Sequence, residues 1–375
     1  MFSADSLLVQ KGSIFVYRVF DIAEEVSLQT VERILSQPSG ESRVKLAERT
    51  RDAVVVRNAP VRISLGEAQL GISQIPIKMA EVTATVWDYG ALSISFRIPL
   101  DENTRWKDLL SLASSLNMDS EVLTKIDSLA RAKAKDVVQL ISNALIRHTF
   151  WPISEDYIVY FFESLAGIKE GKDLLQRTHI AELLLGESNE ALSDETRERI
   201  LQNVFQYSNH DLTILDWNSA VVFEPTGQRE ILDVLEFALT QLLEVRYYDE
   251  QLDLRLAELY SSVEAGRSRL FQNQFGRISK DANTRFMEFS EFMERMNNSL
   301  KVVGDFYLAR IFRGAIRRFR ISDWEDSITR KMNVLAQVSS LLQGEMNVRR
   351  SHFLEIIIIF LILLELVSTV IRNWS

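Results

Sequence analysis

The feature that most limits what this chain can fold into is a long apolar segment near its C-terminus, FLEIIIIFLILLELVSTVI. It runs from Phe353 to Ile371 and has 15 apolar positions among 19 residues. As a helix rising about 1.5 Å per residue it would be roughly 28 Å long, close to the hydrocarbon thickness of a bilayer. Its apolar side chains together favour insertion by more than Glu365 costs. The sequence therefore predicts one C-terminal transmembrane helix within residues 351–375.

The residues around this segment favour a membrane anchor over the alternative, a buried core helix. Basic residues collect on the cytoplasmic side of a span, and four of them precede the segment whereas one follows it. We therefore expect a tail-anchored, single-pass membrane protein with the bilayer as a partner. Most of the chain would be cytoplasmic, and the membrane would be a bacterial inner membrane. The predicted membrane-flanking residues are Arg349, Arg350, Arg372 and Trp374.

Two carboxylates, Glu355 and Glu365, lie within the predicted span from Phe353 to Ile371. Glu355 lies near the entrance of the predicted span and costs less there, whereas Glu365 lies deeper. A carboxylate at the depth of Glu365 is functional, is protonated, or hydrogen-bonds between anchors in an oligomer. The sequence leaves these alternatives open, and we favour a role in association.

The chain before Pro225 alternates between strand and helix patterns. Residues 1–100 contain strand patterns such as SIFVYRVF and a close pair, EVTATVWD and ALSISFRIP, around Tyr89 and Gly90. Residues 101–227 begin with a helical connector and continue with DYIVYFFESL and a second close pair, LTILDW and AVVFEP. The order of elements repeats, which predicts an α+β fold with a duplicated α/β head.

Residues 228–350 read as long helices. Apolar residues follow alternating steps of four and three, the spacing of a coiled-coil seam. No proline follows Pro225, so the last helix is expected to continue unbroken from about Asp323 through the membrane. We predict a coiled-coil-like stalk. Its first seam consists of Ile231, Leu235, Ala238, Leu242, Val245, Leu252, Leu256, Leu259, Val263 and Leu270.

No pattern of catalytic or cofactor-binding residues stands out. The chain has no cysteine, its four histidines lie far apart, and it contains neither a G-x-G-x-x-G nor a G-x-S-x-G sequence. The segment from Gly167 to Asp173 falls one residue short of a phosphate-binding loop and reads better as a turn before a helix. We predict no catalytic residues, no cofactor, no metal site and no enzymatic activity.

A cluster of arginines in LARIFRGAIRRFRIS is a candidate site for an anionic partner. Arginine forks bind phosphates of RNA or lipid, and arginine planes stack on bases. The alternative, which we favour, is structural: these arginines complement a helix dipole and pair with neighbouring acids in a chain of net charge −9. The candidate patch comprises Arg310, Arg313, Arg317, Arg318 and Arg320.

The order of motifs resembles the required-for-meiotic-nuclear-division family. The resemblance rests on the Tyr-Gly strand turn (Trp87, Asp88, Tyr89, Gly90), the helices that follow it, and a C-terminal Leu-Glu, Ile/Leu run and second Glu (Leu354, Glu355, Glu365). It implies a membrane-anchored, oligomeric, non-enzymatic protein. The mitochondrial members of the family lie at the inner membrane and support organellar translation, and the resemblance extends no further than that.

The sequence thus predicts a non-enzymatic, membrane-tethered scaffold or assembly protein that forms homo-oligomers through its helical stalk and binds an unidentified cytoplasmic protein. One alternative is a membrane-bound RNA or ribosome tether that uses the arginine cluster, although nucleic acid is the less favoured partner. Another is an accessory subunit of a membrane channel or transporter.

Overall fold

The computed structural model of the protein describes residues 7–36, 45–46, 59–70, 79–187, 192–264, 280, 284, 286–294 and 306–374. The chain folds into two compact units. One contains residues 1–247 and 290–324, and the other contains residues 248–289 and 325–375.

A mixed β-sheet of ten strands forms the centre of the unit 1–247/290–324. The described strands of the chain are β1 (Leu8–Asp21), β2 (Ala23–Val26), β3 (Lys45–Leu46), β4 (Val61–Ala68), β5 (Ala80–Val86), β6 (Ala91–Pro99), β7 (Thr104–Arg105), β8 (Leu145–His148), β9 (Ser154–Leu165), β10 (Val204–Phe205), β11 (Leu212–Leu215) and β12 (Ser219–Phe223). The order in the sheet is β10-β11-β12-β9-β1-β6-β5-β4-β3, with β7 pairing at the start of β1, while β2 and β8 form a separate ribbon. The pairs are antiparallel except for β12 with β9.

Helices cover both faces of this sheet. The described helices are α1 (Leu28–Ser36), α2 (Trp106–Met118), α3 (Ser120–Leu140), α4 (Gly171–Arg177), α5 (Ile180–Leu185), α6 (Asp194–Ile200), α7 (Glu230–Glu264), α8 (Phe306–Arg318) and α9 (Ile321–Trp374), of which α9 belongs mostly to the other unit. One face of the sheet packs against α2, α3 and α5, where the indole of Trp106 lies 5.7 Å from the ring of Phe162. The other face packs against the first part of α7 and against α8, whose Phe312 stacks on Phe237 of α7 at 5.4 Å.

The α+β class is confirmed, but the predicted duplicated head was wrong. Strand β1, from residues 1–100, pairs along its length with β9, from residues 101–227. It can do so because both of its faces are apolar: Ile14 and Val16 are buried among one set of neighbours, and Phe15 packs against Phe161 on the other side. The two stretches therefore contribute to a single sheet.

The seam predicted from Ile231 has two different environments. Its first five members are all buried in the unit that contains the sheet, and Phe237, Leu239 and Leu243 between them are buried as well. A helix that is apolar around so much of its surface packs against a sheet, whereas a coiled-coil seam is narrower. The predicted stalk was therefore wrong for this part of α7.

The unit 248–289/325–375 pairs the end of α7 with α9. Lys331 of α9 contacts the carboxylates of Asp249 at 2.8 Å and Asp253 at 2.6 Å. Leu252 and Leu259 of α7 are buried, as are Ile328, Met332 and Leu335 of α9. The predicted unbroken last helix is confirmed, because α9 runs for 54 residues. The seam positions Val263 and Leu270 have no described side chains.

The predicted C-terminal transmembrane helix was wrong. Across the described residues, no helix combines the length and the apolar character needed to cross a bilayer. The uninterrupted apolar run covers only Ile356 to Leu364, because Glu355 and Glu365 bound it. At about 1.5 Å per residue it is roughly 14 Å long, about half of a hydrocarbon core. The membrane tether and the single-pass location at a bacterial inner membrane were wrong with it.

Candidate functional site

Helix α8 holds the predicted arginine cluster, and its buried side fixes its orientation. Ile311, Phe312 and Ala315 are buried. Gly314 marks the closest approach to strand β10, since a Cβ atom there would lie 2.3 Å from the ring of Phe205. With this side against the sheet, the opposite side of α8 faces outwards.

Three arginines follow one another along the outward side of α8. Arg310, Arg313 and Arg317 are all exposed and stand at i, i+3 and i+7, which places them on one face of a helix. Seven residues of helix separate the first from the last, a rise of about 10 Å. We call these three residues the arginine face.

The five predicted arginines divide into two groups. Arg318 forms an ion pair with the buried carboxylate of Asp216, and Arg320 contacts Asp323 at 2.5 Å. The arginine face differs, because Arg310 lies over the ring of Phe205 at 6.0 Å and Arg313 and Arg317 have no ion-pair partner among the described residues. The structural interpretation thus holds for Arg318 and Arg320 and leaves the arginine face unexplained.

Asp216, the partner of Arg318, is held in the turn between β11 and β12. The hydroxyl of Tyr157 donates to the carbonyl oxygens of Asp216 at 2.9 Å and Ser219 at 2.8 Å. Burial, together with the negative charge of Asp216, raises the pKa of Tyr157 well above its usual range. Arg318 therefore compensates a buried charge that the turn fixes in place.

Exposed aromatic side chains, which the sequence did not predict, flank the arginine face. Tyr207 is 77% exposed, Phe306 75% and Trp217 65%. The ring of Tyr207 lies 5.6 Å from that of Tyr307 in the first turn of α8. Trp217 follows Asp216, so it flanks the other end of the helix. Phe306 is the first residue of α8, whereas contacts between distant parts of the chain bring Tyr207 and Trp217 to this helix, and no local motif signals them.

A cleft of about 420 Å³ opens beside the first turn of α8. Its polar groups serve local structure: Asp211 accepts hydrogen bonds from the amides of Tyr207 and Ser208 and from the hydroxyl of Tyr307. Burial alone would raise the pKa of Asp211, but these hydrogen bonds hold it below its usual range. The lining includes Tyr207, His210, Asp211, Glu224, Glu230 and Tyr307.

Metal binding has no visible support in the described part of the chain. No group of three or more His, Asp or Glu side chains there is placed to hold a metal ion. The described histidines bind locally instead, as when Nδ1 of His210 lies 3.1 Å from the carbonyl of Lys169.

The residues predicted at the membrane lie on α9. Glu355 and Glu365 are exposed at the two ends of the apolar run. The side chains of Arg349, Arg350, Arg372 and Trp374 lie outside the described part of the structure.

Comparison with known proteins gives a family without an assigned activity. The family model described as the N-terminal domain of the uncharacterized protein MJ0711 matches residues 11–229. The uncharacterized protein MJ0711 of Methanocaldococcus jannaschii is 24% identical over 218 residues, which cover 57% of this chain and 65% of that protein. The match thus spans slightly less than two thirds of the relative. No solved structure matches the chain at a significant level.

The matched region contains the described strands except for the first three residues of β1, whereas α7, α8 and α9 follow it. The resemblance to the required-for-meiotic-nuclear-division family stays a prediction. Because the family model matches more than half of the residues, the chain belongs to the family defined by the N-terminal domain of the uncharacterized protein MJ0711.

Proposed function

We propose that this protein is a non-enzymatic assembly protein whose copies associate through the end of α9. The observation that carries the proposal is the exposed apolar run from Ile356 to Leu364, which we call the apolar segment. Its side chains range from 38% exposed at Ile357 to 64% at Ile356. Burying one Leu, Ile or Phe side chain contributes about 1.5 to 3 kcal/mol, so covering this segment supplies a large driving force.

The spacing of the apolar segment supports another helix as its partner. Ile328, Met332 and Leu335 of α9 follow the steps of four and three, and they are buried. The same alternating steps, continued along the helix, arrive at Ile356, Phe360 and Leu363, all of which are exposed. These three residues, which we call the C-terminal seam, lie on the side of α9 where a coiled-coil partner packs.

The carboxylates that bound the segment fit the same arrangement. In this heptad register Glu355 and Glu365 fall on the outward positions of the helix, away from the seam, and both are exposed. They can therefore stay hydrated while the seam is buried.

A second copy of the chain is the partner that fits these features best. Another α9 carries an apolar segment of identical length and heptad phase, with its acidic residues again facing outwards. Self-complementary surfaces of this kind form closed symmetric oligomers. The resulting assembly would present several sheet-containing units to a common protein partner, which is how a scaffold gains avidity.

The proposal predicts that removing the C-terminal seam dissociates the protein. Changing Ile356, Phe360 and Leu363 together to Gln should shift full-length protein from oligomer to monomer in light scattering coupled to gel filtration. Each copy carries the change, so even a dimer loses six buried side chains, and at about 1.5 kcal/mol each association should weaken by far more than about 1000-fold.

A matched variant distinguishes specific association through the C-terminal seam from non-specific hydrophobic association. Ile358, Leu361 and Ile362 are equally apolar and exposed but lie on the outward side of the helix. Their triple change to Gln should leave the oligomer intact. The proposal fails if wild-type protein is monomeric at micromolar concentrations, or if both triple variants dissociate to the same extent.

A further inference from the structure

We infer that the arginine face of α8 is a binding surface for a single-stranded nucleic acid, with RNA as the probe. The starting point is its unexplained charge. The chain carries 52 acidic and 43 basic residues, yet Arg313 and Arg317 lack an acidic partner among the described residues. Exposed cations without partners on an acidic protein mark a local surface for an anion.

The arrangement of the arginines favours a polyanion over a single phosphate. Arg310, Arg313 and Arg317 stand in a line about 10 Å long rather than around one point. A guanidinium fork binds phosphate oxygens in pairs, so a line of forks fits successive phosphates of one strand.

The exposed aromatic side chains favour a single strand over a duplex. Tyr207 and Phe306 flank the start of α8, and Trp217 flanks its end. Bases of single-stranded RNA stack on such rings, whereas a duplex keeps its base faces inside the stack. An acidic peptide would pair with the arginines and leave the three aromatic side chains without a partner.

The acidic lining of the neighbouring cleft sets where each part of the strand lies. Glu224, Glu230 and Asp211 line the cleft near Tyr207 and repel phosphate. The phosphates therefore lie towards Arg313 and Arg317, while Tyr207 offers a base-stacking surface at the rim. The strand would run along α8 from Tyr207 to Trp217.

Fluorescence anisotropy of full-length protein with a labelled single-stranded RNA of mixed sequence tests the inference. Three phosphate contacts predict a log–log slope of affinity against salt of roughly −2. Changing Arg313 and Arg317 together to Gln should weaken binding by about tenfold or more at low salt and make the slope shallower, between about −1 and 0. Changing Tyr207 and Trp217 to Ala should weaken binding about fivefold or more with the slope unchanged.

The controls separate this surface from net charge and from stability. Arg105, at the end of β7, and Lys107, in the first turn of α2, are exposed, and α2 packs on the other face of the sheet. Changing both to Gln removes the same charge and should leave RNA affinity within about twofold. Arg318→Gln leaves the buried Asp216 without its cation, so it should lower the melting temperature without weakening RNA binding by the folded protein.

Four results would overturn the inference. They are no RNA binding by the wild type at 50 mM salt, an equal loss in the Arg105/Lys107 variant, equal affinity for duplex RNA, and displacement of the RNA by an equimolar acidic peptide.

Discussion

Gly90→Ala is expected to destabilise the sheet-containing unit by at least about 3 kcal/mol, because alanine fits neither the backbone nor the space. Gly90 ends the turn between β5 and β6 with φ +95°, in the left-handed region. A Cβ atom there would lie 1.6 Å from the carbonyl oxygen of Ala23. The turn cannot easily retreat, since the amide of Ile22 donates to the carbonyl of Gly90 at 3.0 Å and that of Val26 to Asp88 at 2.8 Å.

Gly66→Ala is the matched control that measures the cost of the left-handed backbone conformation alone. Gly66 also has a positive φ, +76°, but nothing lies within 4 Å of an added Cβ. It should cost only about 1 to 2 kcal/mol, the penalty of the left-handed backbone. Urea denaturation followed by circular dichroism measures both losses. Equal losses in the two variants would show that the contact between Gly90 and Ala23 relaxes at little cost.

This turn shows what local sequence can predict. The alternation in EVTATVWD and ALSISFRIP predicted the hairpin, and the structure pairs β5 with β6 in one antiparallel register. The pair LTILDW and AVVFEP gave β11 and β12 in the same way. In both cases the strands are neighbours in the chain, so alternation and a short turn suffice to define the pairing.

Such local patterns could not predict which distant strands pair. β1 joins β6 on one side and β9 on the other, and β12 returns parallel to β9 after three intervening helices. Tyr17 meets Tyr157 across 140 residues, and nothing near either residue encodes that contact. A repeated order of elements was therefore read as two heads instead of one sheet.

The helix patterns were ambiguous for a related reason. Steps of four and three at Leu235 and Leu242 suit a helix on a sheet as well as a coiled coil, and only the burial of Phe237 and Leu239 between them distinguishes the two. Counting arginines had the same limit. Arg317 and Arg318 are adjacent in the sequence, yet one is exposed and the other neutralises Asp216.

Arg62→Met is expected to cost about 3 to 5 kcal/mol near pH 7, the usual result of removing one partner from a buried ion pair. Arg62 of β4 forms ion pairs with Asp233 and Glu236 of α7, the latter at 3.4 Å. Burial raises the pKa of Glu236, and the charge of Arg62 opposes that rise. Burial alone would lower the pKa of Arg62, but Glu236 and Asp233 outweigh it and raise that pKa. The cation thus makes one buried carboxylate, Glu236, and one partly buried carboxylate, Asp233, tolerable.

The loss in Arg62→Met should depend on pH. Without the cation, the pKa of Glu236 in the folded variant lies further above its unfolded value of about 4.3. The Arg62→Met variant therefore keeps the stability contributed by protonated Glu236 below about pH 4. It loses that stability as the pH rises through the pKa of Glu236 in the folded variant. Relative to wild type, urea denaturation should show a small deficit at pH 4 that grows towards pH 8.

Arg97→Met provides the comparison for Arg62→Met, since Arg97 contacts Glu81 at 2.9 Å and the Glu81 side chain is 55% exposed. Breaking that pair should cost at most about 1 kcal/mol at any pH, because water solvates the carboxylate that is left behind. The two arginines extend from neighbouring parts of one sheet, and they differ in whether solvent reaches their partners. A deficit in Arg62→Met that matched Arg97→Met, or that stayed constant from pH 4 to pH 8, would mean that Asp233 and Glu236 regain solvent when the cation is removed. It would also mean that the contact between α7 and β4 loosens without unfolding the sheet.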